Sequence, residues 1–317
     1  MVLILSDRDV RALLDMTEAI EAVEQAYVEF YNGQAVVPTR IMMSVPRHQG
    51  RLAVMPAYLA ETDVLATKIV TGYENNRKLK LPYILALIIV SDSRTGSPLA
   101  IMDGEYITAL KTAAASGVAT AQLASPDAKV LGIVGAGVQA RSHLWALKEV
   151  TGIENVLVCS SSEESSHRFK EEMEDRFNVG IQPQNSPRAV VDGSDILVTA
   201  TNCNNPVVSA SWLRRGMHVN IIDCHNSLDT AAIEGATVVV ESREAFLHAM
   251  VEEQRITLKE PIYGEIGEII TGAKKGRRDS SEITVYKSVG IAVQDAAIAA
   301  RVYRKALESG VGINVAV

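Results

Sequence analysis

The chain has 317 residues, 47 % of them hydrophobic and 22 % charged, a composition typical of a globular protein long enough for two domains. Its net charge of −7 disfavours nucleic-acid binding, and its longest strongly apolar run, Ile84–Val90, is too short to cross a bilayer. Because the first nine residues lack the basic and apolar regions of a secretory signal, and the three cysteines lack CxxC spacing, we expect a cytoplasmic protein with reduced thiols and no membrane partner.

The N-terminal third of the chain shows two successive patterns. From Ser6 to Tyr31 the apolar residues recur at helical spacing, which predicts helix. Short strand-like runs follow, namely Ile41–Val45, Ala53–Pro56, Leu65–Val70, Ile84–Val90 and Leu99–Met102. The last two runs flank the turn-rich segment 91–98, which predicts a hairpin and therefore an antiparallel sheet.

From about residue 120 short apolar runs alternate with helical stretches, which is typical of a parallel sheet covered by helices on both faces. These runs are Val130–Val134, Val156–Cys159, Ile196–Thr199, Val219–Ile222 and Thr237–Val240. A final Ala-rich helix is predicted from Val289 to Leu307. The sequence thus predicts an α/β protein: a Rossmann-type doubly wound sheet over 121–287, and a second, α+β domain over 1–120 that 288–317 completes.

A glycine-rich motif lies between the first of these strands and the helical stretch that follows it. Gly135 permits a tight turn, Gly137 lets a pyrophosphate approach the backbone, and Ala140 lets helix and strand pack closely. Together with Val138 and Gln139 these residues open a helix whose N–H groups face the phosphates. Because the strand–turn–helix context is present on both sides, the G-x-G-x-x-A pattern predicts a dinucleotide site rather than an ordinary turn.

The end of the second strand bears on the choice of nucleotide. Ser160 and Ser161 stand where an NAD site usually offers an Asp or Glu to the ribose 2′-hydroxyl. Hydroxyl groups accommodate a 2′-phosphate better than a carboxylate does, so the sequence favours NADP(H) over NAD(H). The alternative is that Glu163, slightly later in the chain, reaches the ribose.

Five further segments resemble elements of one protein family. They are residues 37–40, 54–58, 66–70, 108–114 and 284–290. In that order they resemble a Pro-x-Arg element, a Met-Pro strand, a lysine strand, a T-x-x-R-T-A-A helix and a closing F-K-S-x-G segment. The family is that of ornithine cyclodeaminase and mu-crystallin, with archaeal-type alanine dehydrogenase and ketimine reductases, and the resemblance runs nearly end to end. It implies that the Rossmann domain is joined by a domain that holds the substrate and mediates homodimer formation.

The resemblance gives Arg40, Lys68 and Lys111 a role in gripping the substrate carboxylate, and Lys68 a share in the proton chemistry. A carboxylate removed from water needs more than one charged donor to offset its desolvation. Lys68 shares a strand face with Ala66 and Val70, where an unpaired ammonium would be costly; the alternative is an ordinary lysine whose head reaches water. Lys111 replaces the family's arginine, so a point charge stands where a planar, two-pronged donor is expected.

A second departure concerns His225. Members that deaminate ornithine or alanine carry an Asp at the position that falls on His225, whereas here an acid, Asp223, comes two residues earlier. Residues two apart in an extended segment share a face, so both are candidate catalytic acid–base groups. The alternative for His225 is a local hydrogen bond. Because ketimine reductases of the mu-crystallin type also lack this Asp, the resemblance favours an imine reductase or dehydrogenase.

The same resemblance assigns Thr112, Thr199, Ala200, Thr201 and Ser288 to the cofactor side, with Ser288 near the nicotinamide. No cluster of His, Cys or carboxylates has the spacing of metal ligands. We therefore expect hydride transfer between a nicotinamide cofactor and the α-carbon of a small amino or imino acid. The alternatives are an ornithine-type cyclodeaminase and a nucleotide-dependent binding protein of the mu-crystallin type without turnover.

Overall fold

The computed structural model describes residues 1–201, 203, 205–222, 228–229, 235–251 and 261–316, except for the side chains of Arg77 and Asp229. The chain divides into two compact units, one formed by 1–111 with 291–317 and the other by 112–290. In the described ranges no helix is long and apolar enough to cross a membrane.

The strands are, in chain order, β1 (Val2–Leu5), β2 (Ala35–Val36), β3 (Ile41–Val45), β4 (Gly50–Leu59), β5 (Val64–Tyr73), β6 (Ile84–Ser91), β7 (Pro98–Asp103), β8 (Val130–Val134), β9 (Asn155–Cys159), β10 (Gly180–Pro183), β11 (Ile196–Thr199), β12 (Val208–Ser209), β13 (His218–Ile221), β14 (Leu228–Asp229), β15 (Thr237–Val240), β16 (Ile262–Glu265), β17 (Thr284–Lys287) and β18 (Ile313–Val315). The helices are α1 (Asp7–Leu13), α2 (Met16–Tyr31), α3 (Glu105–Leu123), α4 (Val138–Val150), α5 (Glu163–Phe177), α6 (Pro187–Gly193), α7 (Arg243–Val251), α8 (Ile266–Ile270) and α9 (Ala292–Ser309).

The first unit is built on a sheet of order β18-β1-β7-β6-β5-β4-β2, with β3 paired to β4. The strands from β3 to β7 pair antiparallel, and the predicted β6–β7 hairpin is confirmed. Alternation in β4 and β5 turns one set of side chains toward α9, which packs on both strands and on α2. The small alanines of α9 allow this close approach, so one face of the sheet is covered by helices.

The predicted N-terminal helix is interrupted. Leu14 is extended (φ −129°, ψ 125°) and separates α1 from α2. Ser6 and Asp15 each accept a hydrogen bond from a backbone N–H three residues later, so each caps a helix of its own. Two caps within one apolar repeat therefore divide it into two helices.

The second unit contains an all-parallel sheet of order β10-β9-β8-β11-β13-β17-β15-β16. Its central strands are buried on both faces and separate two apolar cores, one around Phe169 and the other around Phe246. The chain runs outward from β8 to β10 and then returns to β11 on the other side of β8. This reversal is the place where an open α/β sheet meets its ligand at the carboxyl ends of the strands, and the Rossmann-type prediction is confirmed.

Candidate active site

A buried cluster of charges forms within the first unit. Lys68 on β5 has its Nζ 2.9 Å from both carboxylate oxygens of Asp295 on α9, and it donates a hydrogen bond to Oδ1. The Nζ of Lys111 on α3 lies 3.5 Å from Oδ2 of the same carboxylate. The three residues are only 3 %, 3 % and 2 % exposed. One carboxylate thus lies within ion-pair distance of two ammonium groups, and all three groups are buried away from bulk water.

Local sequence explains why these charges are buried. Alternation along β5 places Lys68 on the face of Ala66, which is the face that α9 covers. Asp295 lies on the apolar face of α9, one turn before Ile298 and Ala299. Each element therefore carries its charge inward, and the burial of each group depends on the presence of its partner.

Two further polar side chains extend the cluster on the Lys111 side. Gln294 accepts a hydrogen bond from the Lys111 Nζ at 2.7 Å through its Oε1, which also accepts from the Ile291 N–H at 3.3 Å. Its amide nitrogen donates to the hydroxyl of Tyr27, a fully buried residue of α2. The position of Lys111 is therefore fixed from both α9 and α2.

The electrostatics of the cluster favour binding of an anion. The pKa of Lys68 is lowered to about 8, chiefly by burial and also by the charges of Lys111 and Arg40, whereas Asp295 acts in the opposite direction. Arg40 is half-buried and lies just before β3. Two ammonium groups thus share one carboxylate, and a guanidinium lies close enough to influence one of them. This arrangement suits a ligand with a carboxylate of its own.

The glycine motif of the second unit adopts the conformation that a dinucleotide requires. Gly135 has φ +112°, and a Cβ there would collide with the carbonyl oxygen of Ala200. Its N–H donates to the Cys159 carbonyl at 2.8 Å, which ties the turn to the end of β9. Gly137 has open space around its Cα and begins α4 without a side-chain cap.

Gln139 provides an independent test of whether the motif fits a nucleotide. Its Oε1 is buried and has no hydrogen-bond partner within the described part of the chain. An unsatisfied buried acceptor is costly unless a ligand donor reaches it. Together with the bare N-terminus of α4, this acceptor fits a bound dinucleotide.

The segment after β9 places hydroxyl groups near the glycine turn. Ser160 is half-buried and Ser161 exposed, whereas Ser162 caps α5 by accepting from the Ser165 N–H. The exposed Glu163 and Glu164 lie 3.6 Å and 2.6 Å from His167 and Arg168 on the same helix. These two carboxylates have partners on the helix itself.

The remaining predicted cofactor residues follow other strands of the same sheet. Thr199 ends β11, Ala200 donates its N–H to the Val134 carbonyl at 2.8 Å, and Thr201 accepts from the Cys203 N–H. The pairing of β11 with β8 thus places residues 199–201 next to Gly135. Thr112, on α3, begins the second unit, whereas the residues that surround Lys68 belong to the first.

Ser288, directly after β17, is held by a residue that the sequence did not single out. Its hydroxyl donates to the Glu241 carboxylate at 2.5 Å, and the N–H groups of Val289 and Gly290 donate to the same carboxylate at 2.8 and 3.0 Å. Glu241 follows β15 and is 1 % exposed. The carboxylate thus fixes the segment that carries Ser288.

Asp223 and His225 lie outside the described residues. Within the described ranges, no group of three or more His, Cys, Asp or Glu side chains could hold a metal ion. Sequence reasoning also missed Asp295, Gln294 and Tyr27. The usable signal was Asp295 itself, because an acid on the apolar face of an amphipathic helix requires a buried partner.

Comparisons with known proteins show which family the chain resembles. The sequence model of the ornithine cyclodeaminase/mu-crystallin family matches residues 2–310. A Δ(1)-pyrroline-2-carboxylate reductase of Bacillus cereus is 35 % identical over 323 residues, covering 99 % of each chain. The solved Δ(1)-pyrroline-2-carboxylate reductase of Thermococcus litoralis, in complex with NADH and L-proline, is 43 % identical with a TM-score of 0.93, covering 99 % of this chain and 100 % of that one. An archaeal alanine dehydrogenase dimer with bound NAD is 34 % identical with a TM-score of 0.90, covering 99 % of each chain.

The fold, the nucleotide turn and these similarities together define a nicotinamide-dependent oxidoreductase that acts at the α-carbon of an amino or imino acid. The chain belongs to the ornithine cyclodeaminase/mu-crystallin family. The predicted family, fold class and reaction class are confirmed.

Proposed function

We propose that this chain reduces a small cyclic imino acid of the Δ1-pyrroline-2-carboxylate type to the corresponding amino acid. The observation that carries the proposal is the buried cluster of Lys68, Lys111 and Asp295, in which positive charge exceeds negative charge. The similarity to two reductases of that name supports the choice of substrate class. The carboxylate of such an imino acid, next to the ring nitrogen, supplies the negative charge that the cluster lacks.

The first step is capture of the substrate carboxylate. Lys68 and Lys111 each retain N–H donor capacity beyond their bonds to Asp295 and Gln294, because an ammonium has three donors. Arg40 is the third candidate, because it is close enough for its positive charge to lower the pKa of Lys68. Charge-assisted hydrogen bonds from more than one of these groups offset the desolvation of the carboxylate and fix the orientation of the ring.

The second step is reduction, for which the bound nicotinamide supplies the hydride. The residues proposed to hold the nucleotide are Thr112, Gly135, Gly137, Val138, Gln139, Ala140, Ser160, Ser161, Thr199, Ala200, Thr201 and Ser288. The open N-terminus of α4 and the unpartnered Gln139 Oε1 support this assignment. Buried Glu241 holds Ser288 in a defined position.

The proton that the ring nitrogen gains requires an acid. Lys68 is a candidate because its pKa of about 8 lets it exist in both protonation states near neutral pH. His225 and Asp223 are the other candidates from the sequence. Replacement of His225 by Ala, with kcat and melting temperature measured together, separates a proton donor, whose loss lowers kcat by about 10²- to 10⁴-fold, from a structural residue.

The proposal includes a preference for NADPH over NADH. It is supported by the hydroxyl groups of Ser160 and Ser161 after β9, and by the engagement of Glu163 and Glu164 within α5. Nothing acidic at Ser160 or Ser161 repels a 2′-phosphate. Ser161→Asp is expected to reverse the preference, as measured by the Kd of each nucleotide, and a native preference of about tenfold for NADH would contradict it.

We also propose that the chain forms a homodimer through the open face of the first unit's sheet. The face opposite α9 is largely apolar across β3, β4, β5 and β6, and cross-strand register aligns its side chains in two rows. The rows are Ile41, Val54, Ile69 and Leu87, and Met43, Leu52, Thr71 and Leu85. Exposed apolar surface of this kind favours association, and the similar archaeal alanine dehydrogenase is a dimer.

The experiment that tests the proposed reaction is a screen for nucleotide oxidation at 340 nm. NADPH is offered with Δ1-pyrroline-2-carboxylate, its six-membered homologue, and pyruvate with ammonia. We expect the cyclic imino acids to be turned over with the highest kcat/KM. Tight nucleotide binding without oxidation by any of these substrates would contradict the proposal and favour a binding protein.

A further inference from the structure

Asp295 has a special place in the charge cluster. It lies within ion-pair distance of both Lys68 and Lys111, and no other acidic side chain of the described residues does so for either lysine. One of its oxygens, Oδ2, is 2.9 Å and 3.5 Å from the two ammonium nitrogens but has no hydrogen bond of good geometry. The carboxylate thus lies beside two cations, and one of its oxygens keeps no hydrogen bond.

A purely structural role explains this arrangement poorly. A buried ion pair is seldom more stable than an apolar replacement of the same size. Here two cations share one anion, so the cluster keeps an excess positive charge that makes its burial still more costly. That excess is useful only if an anionic ligand completes the cluster.

We propose that Asp295 is the positioning residue of the carboxylate-binding site, which anchors Lys68 and Lys111 from the α9 side and keeps Lys68 charged for the incoming anion. This inference rests on the proposed function. Asp295 contacts neither the substrate nor the cofactor in this role. It acts through the two lysines.

The surroundings of Lys68 show why the charge of Asp295 matters. Lys111 on α3 and Arg40 before β3 both disfavour the ammonium form, and so does burial. The cross-strand neighbours of Lys68 are the uncharged Met55 on β4 and Ile88 on β6. Asp295 on α9 is the group that opposes these effects, so its removal lowers the pKa of Lys68.

The test separates the charge of Asp295 from its position. Asp295→Asn keeps the shape and removes the charge, whereas Asp295→Glu keeps the charge and moves it by one methylene. Glu29→Gln is the matched control, because Glu29 is a fully buried carboxylate of the same unit that accepts instead from the Glu61 N–H. Each variant is assayed for kcat and KM across pH, for NADPH binding, and for L-proline binding by calorimetry.

With Asp295→Asn we expect KM for the imino acid to rise by about tenfold at neutral pH. The increase of KM at alkaline pH should begin about one pH unit lower than in the wild type. With Asp295→Glu we expect kcat/KM to fall by about tenfold while the alkaline limb stays in place. Glu29→Gln should lower the melting temperature only. NADPH binding should be unchanged in all three variants.

An active wild type, with Asp295 variants whose KM and pH profiles match those of Glu29→Gln, would overturn the inference. If Asp295→Asn does not fold, a wild-type kcat/KM in Asp295→Glu would overturn it. If the wild type binds L-proline but reduces no imine, the proposed reaction fails, and weaker L-proline binding in the Asp295 variants would still support the inference. A wild type that neither binds L-proline nor turns over would overturn both.

Discussion

The side chain of Lys68 connects burial to proton chemistry. Its pKa is lowered to about 8, chiefly by burial, so the ammonium is fully charged at pH 6 and about half charged at pH 8. An anionic carboxylate that binds beside it stabilises the charged form. Under the proposed function, binding of the substrate is therefore linked to uptake of a proton whenever part of the Lys68 population starts out neutral.

This linkage predicts a measurable proton uptake. At pH 8 we expect L-proline binding to take up about half a proton per chain, and at pH 6 almost none. Calorimetry in two buffers of different ionisation enthalpy measures the uptake at each pH. Lys68→Met is the control and should abolish the difference between the two pH values; an equal uptake at pH 6 and pH 8 in the wild type would contradict the account.

Individual residues also show how far the sequence can lead. Lys68 stood out because a lysine on the apolar face of a strand requires a partner, and the alternation of β5 is readable from the sequence. Its partner Asp295 lies 227 positions later, and Lys111 and Gln294 are 183 positions apart. No local pattern encodes such pairings, because they arise only when α9 packs on the sheet.

At the scale of elements, the turn from β8 to α4 contains two glycines that are needed for different reasons. Gly135 is required by the fold itself, because of its φ of +112° and its contact with the Ala200 carbonyl. A Cβ added at Gly137 would meet no atom within 4 Å, and the φ of this residue is negative, so the fold alone tolerates a side chain there. We attribute the glycine at this position to the proposed nucleotide, whose pyrophosphate would approach the backbone there.

Two alanine variants test this distinction. Gly135→Ala should lower the melting temperature markedly, because strain at a positive φ and a backbone collision together cost about 2 kcal/mol or more. Gly137→Ala should melt like the wild type but bind NADPH about tenfold more weakly. Nucleotide fluorescence and thermal melts report the two properties, and a Gly137→Ala protein with full affinity would show that the pyrophosphate does not approach this residue.

Elements differed in how well the sequence predicted them. The strands β8, β11 and β15 match their predicted bounds, since short apolar runs bounded by polar residues are unambiguous for buried parallel strands. By contrast, β17 was noticed only as part of the closing segment, yet it lies between β13 and β15 in the sheet. Strand order of this kind depends on which edges remain free for pairing, which a local pattern does not record.

At the scale of the whole molecule, the open face of the first unit's sheet is the feature that predicts assembly. Leu87 in that face is 52 % exposed, and so is Leu247 on α7 of the second unit. The two leucines thus differ in surroundings rather than in exposure. Leu87 belongs to a continuous apolar row, whereas Leu247 lies on a helix surface.

This difference gives a matched pair of variants for the proposed homodimer. The wild type should sediment at twice the chain mass of 34.2 kDa at micromolar concentration. Leu87→Glu places a charge in the proposed interface and should shift the mass toward that of one chain, whereas Leu247→Glu should leave the proposed dimer intact. A wild-type mass of one chain across this concentration range would rule the homodimer out.

The measurement that tests the central claim most directly compares Δ1-pyrroline-2-carboxylate with 1-pyrroline, the same ring without its carboxylate. If Lys68, Lys111 and Arg40 bind the substrate carboxylate, loss of that carboxylate removes two or more charge-assisted hydrogen bonds. The kcat/KM with NADPH should then fall by about 10³-fold, equivalent to roughly 4 kcal/mol. Values of kcat/KM that agree within about threefold for the two rings would contradict the account, because that difference is below 1 kcal/mol.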